Sequence, residues 1–372
     1  MKKAWMSLLC LMLCMLLLMP ASFATAKDAA DEIMKNVGAT NFTVLHTGDI
    51  NGKMEGDENA IGYARLATFA DATAQKGLTL LLDSGNALEG DGGKTISVME
   101  NAQYTAAAIG TRDAALGIER LQELSARANF PLLCANWLKV DGELYWDPYV
   151  LVQVENELVG IIGLIDPDIK EMYPEITEGC NVYDPAPIAN IYYEEMLEQG
   201  CTYFIALTSL GYDGEYTPRT LGANCPWLNL ILDSNTTEET ALELGELVAP
   251  DSGVIIFNLK PDFAQVGEIN VTTGTGNGLN TTLPAVYSTE DLKELPEHEV
   301  VASLVADEYV EPGMEEAPDK PTSPEGNTTV VVDEGNNNVM VIYLVCFGAI
   351  ILVTAVIIVF IAKKPAKKSG KK

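Results

Sequence analysis

Short apolar runs recur along the chain and constrain its fold more than any other feature. Eight of them are five to nine residues long and almost free of charge. Continuous apolar runs of this length are typical of strands that are covered on both faces. We therefore predict buried strands at FTVLH (42–46), LTLLLD (78–83), FPLLCAN (130–136), LVGIIGLID (158–166), TYFIALTS (202–209), LNLILD (228–233), GVIIFNL (253–259) and VGEINVT (266–272).

Helical patterns lie between several of these runs. Residues 62–76 place apolar side chains on one stripe, and residues 185–200 begin with Pro-Ala-Pro and end on Gly. A further helix is expected to end near Ile109, and EVVASLVADEYV (299–310) closes the unit with a short helix. The alternation of strands and helices predicts a layered α/β fold with the helices outside.

The N-terminal residues have the layout of a secretory signal peptide. Lys2 and Lys3 precede an apolar run that is short for a membrane span, and ATA (24–26) is a small-x-small cleavage site. We predict a signal peptide at 1–26, an N-terminal lead at 27–40, the α/β domain at 41–310, a flexible stalk at 311–338, a transmembrane helix at 339–362 and a basic cytoplasmic tail at 363–372.

The predicted span at 339–362 contains 24 residues without a charge and is followed by six lysines. This length is enough to cross a bilayer with some tilt, and positive charge flanks the cytoplasmic side. We expect a single-pass protein of the plasma membrane, with the N-terminal domain outside and the lysine-rich tail in the cytoplasm. The absence of a lipid-anchoring cysteine and the basic tail suit a bacterial membrane.

The exported part is strongly acidic. Eight of the 23 Lys and Arg residues lie at the two ends, whereas all 53 Asp and Glu residues lie between them. Such a surface repels nucleic acid and stays soluble, so we expect no nucleic-acid partner. The chain has no C-x-x-C pair, which excludes a zinc ribbon. The spacing leaves disulfide connectivity open for Cys134, Cys180, Cys201 and Cys225.

In open α/β sheets, binding and catalytic residues lie at the carboxyl ends of the strands, so the turns after the predicted strands are the candidate sites. The first strand is followed by TGDING (47–52), and IGYARLATFADA (61–72), ANFPLLCANW (128–137), GIIGLIDP (160–167) and DSGVIIFNLKPDFAQVGEINV (251–271) follow in order. Together these segments resemble the calcineurin-like metallophosphoesterase domain of bacterial 5'-nucleotidases and 2',3'-cyclic phosphodiesterases. The resemblance covers about residues 41–310.

The resemblance implies a layered β-sandwich flanked by helices and a two-metal site that hydrolyses phosphate esters. In the family two cations clamp the phosphate, and a metal-bound water attacks phosphorus. Carboxylates, an Asn and several imidazoles at the strand ends hold the cations. Family members often carry a second, nucleoside-binding domain, whereas the predicted stalk and span occupy that place here.

The family's ligand positions are nearly all changed in this chain. Only the Asp of the first motif is retained, as Asp49. The neutral amide of Asn86 stands where the family has its bridging carboxylate. Most of the remaining positions carry residues that are not family ligands: Asn51, Thr111, Arg112, Ser209, Asn235 and Thr237. The chain has two histidines, of which we expect His46 to be packed in its strand and His298 to be exposed.

These changes favour a pseudo-phosphoesterase that acts as a binding or scaffolding ectodomain without two-metal catalysis. Two divalent cations would repel each other almost unscreened across a neutral Asn86, and Arg112 adds a fixed positive charge. We therefore predict no cofactor. A phosphate-containing small molecule or an unidentified protein is the expected partner, and hydroxyls beside Arg112 would help to hold a phosphate. We expect Arg112 to pair with Asp49 or Asp113.

The alternative is a phosphate-ester or nucleotide hydrolase with a rebuilt site. Acids near the strand ends, with Asn oxygens, would bind one hard cation such as Mg²⁺, Ca²⁺ or Mn²⁺. Asp49 and Asn86 are the weak candidates for such a single-cation site. Two of the acids, Asp83 and Asp233, are more simply turn and strand-end caps. The whole acidic set is Asp49, Asp83, Glu89, Asp113 and Asp233.

Overall fold

A computed structural model describes residues 40–88, 90, 92–237, 253–273, 280–281, 284–307, 328–332 and 340–343. The predicted signal peptide, the lead up to residue 39 and the basic tail lie outside these ranges. Of the predicted span at 339–362, only residues 340–343 lie inside them.

The described residues form strands and helices in alternation. The strands are β1 (Thr40–Thr47), β2 (Thr79–Asp83), β3 (Ala106–Ala108), β4 (Leu132–Leu133), β5 (Trp137–Lys139), β6 (Tyr149–Val154), β7 (Glu157–Ile165), β8 (Cys180–Val182), β9 (Tyr203–Ser209), β10 (Leu230–Asp233), β11 (Ile255–Asn258), β12 (Gln265–Thr273), β13 (Asn280–Thr281), β14 (Ala285–Ser288), β15 (Thr328–Val332) and β16 (Met340–Tyr343). The helices are α1 (Tyr63–Ala74), α2 (Gly92–Asn101), α3 (Ile118–Arg127), α4 (Ile169–Met172), α5 (Pro174–Thr177), α6 (Pro185–Glu198), α7 (Pro218–Asn224), α8 (Thr289–Leu292) and α9 (Glu299–Ala306), with a 3-10 turn at Asp113–Leu116.

Two large mixed sheets organise these elements. The first has the order β13-β12-β1-β2-β3-β4, with β14 also paired to β12, and the second has the order β11-β10-β9-β7-β6-β15-β16. β1, β2, β3 and β4 run parallel, as do β7, β9, β10 and β11. All eight predicted strands are therefore confirmed as strands of these sheets, although β4 keeps only two residues of its predicted run.

The two sheets pack face to face, and helices cover their outer faces. One apolar cluster contains residues of both sheets, such as Val44 and Ile205. A second cluster joins the other face of the first sheet to α1, α2, α3 and α9, and a third joins the other face of the second sheet to α6 and α7. The mixed α/β class and its layering are thus confirmed, since the central strands bury apolar side chains on both faces.

The prediction of a helix that ends near Ile109 is wrong. Helix α2 ends at Asn101, and the strand β3 follows at Ala106–Ala108. Alanine has the highest helix propensity, but β3 pairs with β2 on one side and β4 on the other, and all three of its residues are buried. Sheet pairing and burial on both faces outweigh the local preference here.

Two strands lie in segments for which the sequence predicts other structure. β15 lies in the predicted stalk and pairs in parallel with β6, and β16 begins the predicted span and pairs antiparallel with β15. The β-branched sequence TTVVV of β15 suits a strand. Within the described ranges, no helix is both long and apolar enough to cross a bilayer. The rest of the predicted span lies outside them, so the transmembrane helix stays a prediction.

The cysteines of the domain are not cross-linked. All four are free thiols, and three of them are buried among apolar side chains, which raises the pKa of each buried thiol to about 12. Inert structural thiols of this kind contribute packing rather than reactivity. The four residues are Cys134, Cys180, Cys201 and Cys225.

His46 lies in β1, fully buried between the sheets, as the sequence predicts for a packed strand residue. Its Nε2 atom lies 2.9 Å from Oγ of Ser84, and its ring packs against the edge of Phe257. Burial lowers the pKa of His46 from 6.5 to about 3, because the charged imidazolium would lose its hydration. The neutral ring is therefore part of the inter-sheet core.

His46 should make the fold sensitive to acid. Because its folded pKa lies below its unfolded value, its contribution to stability is complete above pH 6.5 and is lost as the pH falls toward 3, by roughly 5 kcal/mol. We expect His46→Gln to flatten this part of the curve of unfolding free energy against pH, measured by urea denaturation. His298→Gln keeps His46 and is the matched control; equal slopes for both variants would contradict the assignment.

Candidate functional site

The turns that follow β1, β2, β3, β9 and β10 meet at one end of the sandwich. Hydrogen bonds cross from the first sheet to the second at this point. The backbone N–H of Thr111 donates to Oγ of Ser209 at 3.0 Å, and Oγ of Ser234 donates to the carbonyl of Ser84 at 2.9 Å. The carboxyl ends of the parallel strands therefore form one shared polar site, as expected for this class of fold.

The backbone of these turns adopts an unusual conformation. Four of the positions singled out from the sequence have left-handed backbone, with φ between 52° and 65°. Asp and Asn tolerate this region better than other residues with a side chain. Such conformations cluster at functional sites, where the surrounding structure holds them. The four residues are Asp49, Asn51, Asn86 and Asn235.

Glycine is required where two of these turns touch. A Cβ atom on Gly85 would lie 2.7 Å from the Cα of Gly110, and one on Gly110 would lie 2.2 Å from the backbone nitrogen of Asn86. Gly85 also has a φ of 112°, which side chains with a Cβ rarely allow. The two glycines let the turns after β2 and β3 pack against each other directly.

Asp49 is the centre of the hydrogen-bond network. Its Oδ1 atom accepts from Nδ2 of Asn86 at 2.7 Å and from the backbone N–H of Asn235 at 3.0 Å, and its Oδ2 atom accepts from the N–H of Thr236 at 2.8 Å. Burial raises the pKa of Asp49, and these hydrogen bonds oppose the rise. A carboxylate from the first sheet is thus bound by two backbone amides from the second.

Asn86 uses every polar group that it has. Its Nδ2 atom donates to Asp49, its Oδ1 atom accepts from the N–H of Arg112 at 2.8 Å, and its own N–H donates to Oδ2 of Asp113 at 2.9 Å. A neutral amide donates and accepts at the same time, whereas an ionised carboxylate only accepts. The amide therefore joins Asp49 to the turn after β3 without a cation.

Asp113 organises the surrounding backbone. Its carboxylate accepts from the N–H groups of Asn86, Leu88 and Gly110 at 2.8 to 2.9 Å. Burial raises the pKa of Asp113 to about 6, although the three hydrogen bonds lower it in part. Because three amides converge on its two oxygens, this carboxylate fixes the turn rather than facing an open cavity.

The predicted ion pair between Arg112 and Asp49 or Asp113 is wrong. Among the ion pairs of the described residues, none joins the Arg112 guanidinium to either carboxylate. The positive charge of Arg112 lowers the pKa of Asp49, but it is the weakest of the contributions. The physical reason is that N–H donors already engage the oxygens of both acids, and Arg112 is anchored through its backbone N–H instead.

Two of the remaining acids are strand-end caps, as predicted. Asp83 accepts from the hydroxyl of Thr47 at 2.6 Å and from the N–H of Gly85 at 2.8 Å. Asp233 accepts from the hydroxyl of Thr208 at 2.6 Å. Burial raises the pKa of Asp233 to about 8 and that of Asp83 well above its usual range. Glu89 lies outside the described residues.

The structure also places the other sequence-predicted positions. Thr111 and Ser209 meet side chain to side chain at 3.3 Å, and Thr237 is exposed at the end of a described range. Asn51 donates from Nδ2 to Oδ1 of Asp262 at 2.9 Å. Sequence reasoning missed Asp262, which lies 211 residues away and follows β11, because no local pattern marks such a contact.

Neither histidine contributes to this cluster as a ligand. His46 is bound to Ser84 inside the inter-sheet core. His298 caps α9 and lies 3.6 Å from Asp71, with 29% of its side chain exposed, so the expected exposure is only partial.

A pair of cations does not fit the residues of this site. The three N–H donors to Asp49 occupy positions that a cation would need, and Nδ2 of Asn86 presents a donor. The hydroxyls of Thr111 and Ser209 are weak metal ligands in place of imidazole. Throughout the described ranges, no group of three or more His, Cys, Asp or Glu side chains is arranged to hold a metal ion.

Comparison with known proteins gives sequence relatives and similar folds. No family model matches the chain. The chain is 32% identical over 151 residues to the snake venom 5'-nucleotidase of Crotalus adamanteus, which covers 34% of this chain and 26% of that protein. It is 24% identical over 299 residues to the 2',3'-cyclic-nucleotide 2'-phosphodiesterase/3'-nucleotidase of Haemophilus influenzae, which covers 72% of this chain and 43% of that protein.

The chain thus spans less than half the length of either relative. Among solved structures, the calcineurin-like phosphoesterase YfkN from Bacillus subtilis superimposes with a TM-score of 0.61 at 19% identity, over 72% of this chain and 96% of that one. At this identity the superposition shows the fold alone. The sequence relatives and the structural neighbours of the chain are calcineurin-like phosphoesterases and 5'-nucleotidases.

Proposed function

We propose that this protein is a membrane-anchored, extracytoplasmic pseudo-phosphoesterase that serves as a binding or scaffolding ectodomain. The observation that carries the proposal is the hydrogen bond of 2.7 Å from the Asn86 amide to the Asp49 carboxylate. It stands at the position where the resemblance implies a carboxylate that bridges two cations. A hydrogen-bonded amide removes the charge that two-metal hydrolysis requires.

The ionisation states around Asp49 support the same conclusion. Binding two divalent cations needs several anionic ligands that lose little by remaining charged. Here burial raises the pKa of Asp83 and Asp233, which favours their neutral forms. Arg112 adds a permanent positive charge close enough to Asp49 to lower its pKa. The site therefore balances its charges with protons and hydrogen bonds.

Membrane anchoring rests on the sequence at both ends. The apolar run at 339–362 and the lysines that follow it support a membrane anchor, and the signal-like residues 1–26 support export of the folded domain. A strongly acidic surface on a tether suits contact with another molecule at the cell surface more than it suits the processing of polyanions.

Metal content and turnover test the loss of catalysis. We expect purified full-length protein in detergent to contain substoichiometric Mn, Zn, Mg and Ca by elemental analysis. Added Mn²⁺, Zn²⁺, Mg²⁺ or Ca²⁺ should give no hydrolysis of nucleotide monophosphates or cyclic nucleotides above the rate of Asp49→Ala. Stoichiometric metal together with turnover that Asp49→Ala abolishes would overturn the proposal in favour of a rebuilt, single-metal hydrolase.

Asn86→Asp tests the charge argument. The change replaces the 2.7 Å hydrogen bond from the Asn86 amide by a second carboxylate facing that of Asp49. We therefore expect the free energy of unfolding to fall by about 3 kcal/mol at pH 7. Repulsion raises the pKa of the pair above its unfolded value, so the loss should shrink as the pH falls toward 4. Asn101→Asp, on the exposed end of α2, is the matched control; a similar small effect of both changes would contradict the argument.

Truncation tests the anchor. A chain that stops at residue 338 should leave the membrane fraction, whereas the full chain should resist extraction by high salt and carbonate. Protease added outside intact cells should digest the domain of the full chain and spare an epitope placed after residue 372. Extraction of the full chain by salt alone would contradict an integral membrane anchor.

A further inference from the structure

The strand β16 runs in the same direction as the parallel strands that end at the polar turns. β15 pairs in parallel with β6, β6 pairs antiparallel with β7, and β16 pairs antiparallel with β15. The two reversals cancel, so β16 has the direction of β7, β9 and β10. The chain therefore leaves β16 toward the end of the sandwich where the turns after those strands lie.

The rest of the predicted span follows β16 directly. After Tyr343 the span keeps 19 residues, 344–362, none of which is charged. As a helix these residues would be about 28 Å long, close to the hydrocarbon thickness of a bilayer. The end of the predicted stalk belongs to the second sheet, because β15 pairs with β6 from Thr329 to Val332. On this topology the second sheet leads straight into the predicted span.

Two segments at the same end of the sandwich form a small lobe. Residues 136–148 connect β4 with β6, and residues 166–184 connect β7 with α6. The segments pair with each other through β5 and β8, and the N–H of Asp166 donates to the carbonyl of Ser209 at 3.2 Å. β6 and β7 lie between β16 and β9 in the second sheet. This end lobe therefore lies between β16 and the polar turns.

The end lobe exposes apolar side chains. Val140, Met172 and Tyr183 are 67%, 49% and 43% exposed, and they are three of the seven large apolar side chains that are exposed in the described ranges. Covering valine and methionine side chains is favourable, and tyrosine suits a boundary that is apolar on one side and wet on the other. The surface of a bilayer is such a boundary.

The charge of the end lobe favours one kind of lipid. Its two segments contain three and six acidic residues, against one lysine in each. Both lysines are engaged within the lobe, Lys139 with Glu143 at 2.7 Å and Lys170 with the carbonyl of Val182 at 3.1 Å. Anionic headgroups would be repelled within the Debye length of about 8 Å, whereas the ammonium groups of zwitterionic headgroups would be attracted.

We propose that the polar turns and the end lobe face the membrane, and that Val140, Met172 and Tyr183 contact its zwitterionic headgroup layer. The inference rests on the proposed membrane anchor and adds the orientation of the domain to it. The direction of β16 carries it, because a chain that enters the bilayer from β16 brings this end of the sandwich toward the lipid. The polar turns then face molecules at the bilayer surface.

Quenching by headgroup-labelled lipid tests the orientation in proteoliposomes. A fluorophore is attached to Val140→Cys in the end lobe or, as the matched control, to the exposed Asn156→Cys in the turn between β6 and β7 at the opposite end. Full-length protein carries Cys180→Ser and Cys346→Ser, because the remaining cysteines of the domain are buried. We expect nitroxide-labelled phosphatidylcholine to quench the Val140→Cys label about threefold more, since the length of β7, about 30 Å, separates the two ends. Added phosphatidylglycerol should reduce that quenching.

A proline in β15 tests whether its pairing sets the orientation. Val330→Pro removes a backbone N–H from the middle of β15, which a strand with a neighbour on each side does not tolerate. We expect the two labels to be quenched equally in this variant. Thr322→Pro, in the predicted stalk before β15, is the matched control and should keep the threefold ratio. Thermal melts check that the domain of each variant is folded.

The outcomes separate the orientation from the anchor. Equal quenching of the two labels, or stronger quenching of Asn156→Cys, in protein that resists salt and carbonate extraction overturns the inference and leaves the anchor intact. An unchanged ratio in folded Val330→Pro overturns it too, because β15 would then not hold the domain in place. Quenching that rises with phosphatidylglycerol overturns the choice of headgroup. Extraction of the full chain by salt alone overturns both proposals.

Discussion

The hydrogen bond between the Asn86 amide and the Asp49 carboxylate is the contact on which the polar end of the sandwich depends. Through Asp49 it reaches the backbone amides of Asn235 and Thr236 in the second sheet, and through Oδ1 of Asn86 it reaches Arg112. Hydrophobic contacts in the core between the sheets are not directional. The hydrogen bonds of this network are directional, because each donor has one matching acceptor.

Burying carboxylates in this network costs free energy, and hydrogen bonds within the described residues offset that cost. Each one accepts from backbone N–H groups or hydroxyls: Asp113 from three amides, and Asp83 and Asp233 from a neighbouring threonine hydroxyl and amides. Burial raises the pKa of all three, so protonation replaces part of the charge balance that metals provide in a phosphoesterase. Hydrogen bonds and protonation thus compensate these buried carboxylates within the described residues.

The sequence predicts more of the fold than of the site. Long apolar runs indicate strands that are buried on both faces, and all eight predicted strands are present. Such a run can be recognised from the local sequence alone, without knowing which strands pair with it. β3 was missed since three alanines carry no strand signal, and its identity comes from β2 and β4 on either side. The Arg112 ion pair was wrong for a similar reason. The sequence shows that Arg112 and Asp49 carry opposite charges. It does not show that backbone N–H groups already occupy the oxygens of Asp49, because that arrangement exists only in the folded turns.

Backbone geometry explains which residue types occupy the polar turns. Three of the positions singled out from the sequence have left-handed backbone and carry Asn, which together with Asp accepts a positive φ best among residues with a side chain. The positions outside that region carry Thr, Arg or Ser instead. The conformation of the turns therefore restricts the residue types that they accept, whatever the site binds. The result is a site of amides and hydroxyls, with Asn51, Asn86 and Asn235 at the left-handed positions and Thr111, Arg112, Ser209 and Thr237 at the others.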